Sequence, residues 1–90
     1  MLKIFEDIRN YSQFKLNQSN FSVGFFCENN YILQYLKPYI LLKSKKKKIL
    51  VISFDKLNLE NKNNIKIFVF KTKFFRELAF LTIKLNYLYS

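Results

Sequence analysis

From Leu2 to Leu16, apolar residues recur mostly at steps of three and four: Leu2, Ile4, Phe5, Ile8, Tyr11, Phe14 and Leu16. That spacing predicts an amphipathic helix. The stretch "NQSN", Asn17 to Asn20, ends it with residues that favour turns. Phe21 to Phe26 has the aromatic and β-branched make-up of a strand, and Gly24 marks a gap where a neighbouring backbone can approach. Asn29 or Asn30 can cap a second helix. Its apolar positions Tyr31, Ile32, Tyr35, Leu36, Tyr39, Ile40 and Leu42 keep helical spacing up to the lysine run that ends at Lys48. Pro38 removes a backbone hydrogen bond there and predicts a kink near Gln34 to Lys37.

"KKILVISFD" then reads as a second strand, apolar on both faces as inside a parallel sheet. "KLNLENKNN", Lys56 to Asn64, is a polar connection with room for a helical turn around Leu57 to Glu60. "IKIFVF" is a third strand. Thr72 is placed to cap a helix from Lys73 to about Leu85, with Phe74, Phe75, Leu78, Leu81 and Leu85 on its inner face, and "NYLYS" opens another strand. Helices alternating with apolar strands predict the α/β class with right-handed crossovers. The expected architecture is a partial Rossmann-like three-layer sandwich with a short parallel sheet. Its strand order is 3-2-1, with an incipient fourth strand at Tyr87 to Ser90. Residues 1–18 form an extra N-terminal amphipathic helix and residues 19–90 the partial Rossmann-like domain.

Composition narrows the classes. Ninety residues allow one domain, and half of them hydrophobic with 19% aromatic is too apolar for a disordered chain. Sixteen Lys plus Arg against six Asp plus Glu leave +10, a charge suited to nucleic acid, anionic lipid or a phosphorylated ligand. The lysines are nevertheless spread along a chain rich in Asn, Ile, Phe and Tyr and poor in Gly, Ala and Pro, so compositional bias on solvated faces accounts for much of the charge. One cysteine and no histidine exclude an internal disulfide and a zinc set, and fit a reducing compartment. Uninterrupted apolar runs such as Ile49 to Ile52 are far short of the ~20 residues of a membrane helix, and Glu6 and Asp7 stand where a signal peptide would be apolar. The expected location is the cytoplasm, with peripheral contact at the inner face of the membrane.

In an open α/β sheet, ligands bind beyond the carboxyl ends of the strands, near the point where strand order reverses. That rule selects Cys27, Glu28, Asn29 and Asn30 after the first strand, Ser53 and Asp55 after the second, and Lys71 and Thr72 after the third. Glu28 can hold a hydroxyl or act as a base, and the helix start behind it offers N–H donors to an anion. Helix capping alone also explains Glu28 to Asn30, and a turn explains Asp55. One glycine builds neither a dinucleotide loop nor a P-loop, so no cofactor is expected. Cys27 has no histidine to activate it and reads as a buried, inert thiol. Lys45, Lys46, Lys47 and Lys48 are a candidate anion site or a solvated turn before a strand. The tyrosines from Tyr31 to Tyr39 read as core and packing surface rather than stacking platforms.

Taken in order, "VGFFCENNYILQYLKPYI", "ILVISFD", "IKIFVF", "KFFREL" and "YLYS" resemble the N-terminal part of the CDP-glycerol glycerophosphotransferase family over about residues 21–90. Cys27 stands where a serine is more usual, and Ser90 falls where a Thr-Pro-Asp-Leu-like turn would begin. The family's His-containing segments and nucleotide-binding C-terminal domain have no counterpart in these ninety residues. The resemblance implies the acceptor-side half of the Rossmann-like N-terminal domain of a two-domain, GT-B-like transferase of cell-surface polymer synthesis. It also implies a chain inactive alone, with Glu28, Asn29, Asn30 and, more weakly, Asp55 lining the acceptor side. The expected partner is the C-terminal domain, or another chain covering the sheet edge. From the residues alone, a small basic module for nucleic acid or anionic membrane stays open as the alternative, as does a structural, partner-binding α/β protein.

Overall fold

The computed structural model describes residues 2–60, 64–82 and 87–89. Helix α1 (Leu2–Asn17) leads through a 3-10 turn (Gln18–Asn20) into β1 (Val23–Phe26), followed by α2 (Asn30–Ser44), β2 (Ile49–Ser53), β3 (Ile65–Val69), α3 (Lys73–Thr82) and β4 (Tyr87–Tyr89). The four strands form one sheet in the order β3-β2-β1-β4. Every pairing is parallel, with Val23 beside Ile49 and Tyr87, and Ile49 beside Ile65. The chain is thus a partial Rossmann-like α/β sandwich, and the fourth strand takes the open side of β1.

β2 fixes this arrangement, because all five of its residues are buried. A parallel strand with two apolar faces requires a helical layer on each side. On one side Val23, Phe25, Ile49, Val51 and Ile65 pack with Leu33 and Ile40 of α2 and with Leu57. On the other, Leu50, Ile52, Phe68 and Phe70 pack with Phe14 of α1 and Ala79 of α3. α2 runs unbroken through Pro38, which lies exposed on its outer side, so the expected kink does not end the helix. The stretch Leu57 to Glu60 takes no helical turn; it crosses as extended chain and buries Leu57 instead.

Two inner faces differ from the sequence expectation. α1 faces the sheet with Asp7, Asn10, Tyr11 and Phe14, while Ile4, Phe5, Ile8 and Leu16 are exposed. Phe14 meets Phe68 and Phe70 edge to face at 5.7 and 5.9 Å, and Tyr11 lies 5.8 Å from Phe75. Aromatic pairing and the Asp7 contacts described below therefore set the rotation of α1. α3 turns Ala79, Phe75 and Leu78 inward, leaving Phe74 and Leu81 exposed. Ala79 is the fully buried residue of α3, packed in the cluster with Phe14, Phe68 and Phe70. Leu85 lies outside the described residues. No described helix is long and apolar enough to cross a membrane.

Phe14→Ala is expected to cost about 3–5 kcal/mol in urea unfolding, whereas Leu16→Ala on the exposed side of the same helix should cost under about 0.5 kcal/mol.

Candidate functional site

The turns after β1, β2 and β3 meet at one edge of the sheet. Beyond β1 the ladder continues, with Cys27 N–H donating to Ile52 C=O at 2.9 Å and Phe54 N–H donating to Glu28 C=O at 3.3 Å. The buried Ser53 ties the two turns together. Its hydroxyl donates to Asp55 C=O and accepts from Asp55 N–H at 3.1 Å, while lying 3.5 Å from Glu28 C=O. Asn29 is the N-cap of α2: its extended backbone frees Oδ1 to accept from Ile32 N–H at 3.0 Å. Asn30 uses both ends of its amide, Oδ1 accepting from Asn58 N–H at 2.7 Å and Nδ2 donating to Lys56 C=O at 3.1 Å. Both asparagines thus hold the edge in shape, and Glu28 and Asp55 present exposed carboxylates on it.

Cys27 is buried, with Sγ donating to Asn29 C=O at 3.4 Å. Burial pushes the thiol above its usual 9.0, the Glu28 carboxylate adds to this, and a backbone hydrogen bond with Asn29 offsets part of it. The protonated thiol is thus the form that folding favours. This contribution to stability is full below the unfolded pKa and is lost as pH rises through the folded one.

The turn after β3 is held by a residue far away in sequence. Asp7 of α1 is buried and accepts from Lys71 N–H at 2.9 Å, Thr72 N–H at 2.7 Å and Thr72 Oγ1 at 2.6 Å. The Thr72 hydroxyl is therefore spent on Asp7, while its carbonyl accepts from Arg76 N–H at 3.1 Å to start α3. A carboxylate suits this place, since the first N–H groups of a helix lack partners and carry partial positive charge. Arg76 completes the clamp, with Nε donating to Phe70 C=O and Nη2 to Lys71 C=O, each at 3.0 Å. Its guanidinium sits 4.0 Å from the Phe54 ring centroid. Sequence reasoning missed Asp7, Arg76 and Phe54 as edge residues. Asp7, Asn10, Tyr11 and Phe14 share one face of α1 at three- and four-residue steps, but nothing local marks that face as the inner one.

Lys45 to Lys48 lie at the other end of the sheet, in the turn that enters β2. Five strand residues separate them from Asp55, roughly 16 Å at the usual rise. The two candidate sites are therefore distinct, and the lysines do not line the crevice. No cluster of three or more metal-ligating His, Cys, Asp or Glu occurs among the described residues. The edge can offer two carboxylates and Arg76 to a polar ligand. No protein-family profile, curated protein or solved structure matches the chain.

Asp7→Ala removes the acceptor of two part-buried N–H groups and of the Thr72 hydroxyl, and is expected to cost about 2–4 kcal/mol in urea unfolding. Cys27 should react with a disulfide reagent more than about tenfold slower at pH 8 in the native state than in urea. Rapid native labelling would contradict its burial.

Proposed function

We propose that the chain forms the acceptor-side wall of a glycerophosphotransferase-like enzyme of cell-surface polymer synthesis, similar to the CDP-glycerol-dependent transferases. The observation that carries this reading is the strand order β3-β2-β1-β4. The order reverses between β1 and β4, so the binding crevice of such a sheet opens beside the turn from Cys27 to Asn30. Glu28 is the residue in that turn suited to holding an acceptor hydroxyl, with Asp55 behind it on the neighbouring turn. Asn29 and Asn30 serve the same wall by fixing the backbone that carries Glu28.

Phosphoryl-type transfer also needs groups that neutralise developing phosphate charge, and such enzymes distribute them across a cleft. The opposite wall then comes from a C-terminal domain or another chain, which also covers the sheet edge. The exposed Phe5, Ile8, Phe74 and Leu81 on the α1 and α3 side support a covering partner. The enzyme would work in the cytoplasm, at the inner face of the membrane that holds its polymer.

Titration of the ninety residues with a soluble glycerol-phosphate oligomer is expected to shift the amide resonances of Cys27 to Asn30 and Ser53 to Asp55. Glu28→Gln should weaken that binding by about tenfold, the loss of one charge-assisted hydrogen bond. No turnover of CDP-glycerol is expected without the second wall. Turnover by this chain alone, or shifts confined to Lys45 to Lys48, would refute the reading.

A further inference from the structure

The tyrosines of α2, expected from their spacing to pack inward, face solvent instead. At 3.6 residues per turn, Tyr31, Tyr35, Pro38, Tyr39 and Leu42 fall within one arc of about 100°, opposite the Leu33 and Ile40 that α2 buries on the sheet. Tyr31, Tyr35, Tyr39 and Leu42 are 66, 59, 60 and 63% exposed. Tyr31 and Tyr35 meet edge to face with centroids 5.7 Å apart. The helix is thus apolar on two opposite faces, and the sheet covers one of them.

Charge says what fits the other. The segment from Tyr31 to Phe54 contains six lysines and no carboxylate. The tyrosine stripe runs roughly 16 Å along the axis and ends at the lysine turn. There Leu42, Lys43, Lys46 and Lys47 surround a hollow of about 370 Å³. We propose that this stripe and the lysine turn form a docking surface for an anionic lipid bilayer. Tyrosine has an apolar ring and a polar tip, which suits the level of the headgroups, and the lysines meet the lipid phosphates. A convex stripe on one helix lies flat on a surface, as interfacial amphipathic helices do. It offers no groove to track a nucleic-acid strand, where bases stack within a basic channel. The stripe starts beside the Glu28 turn at Tyr31, but its lysine end lies at the opposite edge of the sheet and uses none of the crevice residues, so the surface stands whether or not the transferase reading holds.

Co-sedimentation of the chain with phosphatidylcholine vesicles, with and without phosphatidylglycerol, tests the proposal. Binding is expected only with the anionic lipid, and should weaken as salt rises. The triple variant Tyr31→Ser, Tyr35→Ser, Tyr39→Ser should lose about tenfold in partitioning. Lys45→Gln, Lys46→Gln, Lys48→Gln should lose about a hundredfold. These side chains are exposed, so circular dichroism and the urea midpoint should stay unchanged in both variants. Equal binding to neutral vesicles, full retention by the tyrosine variant, or capture of single-stranded RNA without vesicle binding would each overturn it. None of these results alters the amide shifts at Cys27 to Asn30 that test the crevice.

Discussion

The structure depends on the demand of β2 to be covered on both faces. Its residues Ile49, Leu50, Val51, Ile52 and Ser53 are all buried, and its neighbours on either side run parallel to it. Parallel neighbours exclude hairpins, so the chain must cross over between strands. α2 covers one face during the β1 to β2 crossover. α3 covers the other between β3 and β4, and α1 fills the remaining space over β3 through Phe14. Once β4 joins β1 on its open side, the reversal of strand order lies beside Cys27 to Asn30. The location of the crevice is thus a consequence of how the core is enclosed.

The carboxyl edge is held by side chains that bond to backbone. Ser53, Asn29 and Asn30 lock the first two turns to each other and to α2, while Asp7 and Arg76 lock the third to α1 and α3. Each bond satisfies a group that the end of a strand or the start of a helix would otherwise leave unpaired. Rigid turns with outward carboxylates are what a binding edge requires, since ordering such a loop on binding would weaken affinity. The opposite edge carries the lysine turn, the densest run of positive charge in the chain.

Local patterns made much of this legible. The strands are visible as dense β-branched and aromatic runs, and a cap at Asn29 or Asn30 from their place before a helical apolar pattern, with Asn29 the one that caps. The tie between Asp7 and Thr72 spans 65 residues and has no local signature. The same limit hid the rotation of α1, because Ile4 and Ile8 look as apolar in sequence as Tyr11 and Phe14, and only Phe68 of β3 and Phe70 just after it choose between them. α2 misled for a related reason. Its apolar residues surround the helix, so spacing alone did not tell the face that meets the sheet from the stripe that remains outside.

Because β4 lies parallel beside β1, the turn after β1 is the place where strand order reverses. Backbone nuclear Overhauser contacts in a labelled sample measure this directly. Parallel contacts linking Gly24 to Leu88 and Phe25 to Tyr89 are expected. Contacts from Tyr87 to Tyr89 onto Ile65 to Val69 instead would move the reversal away from Cys27 to Asn30 and contradict it.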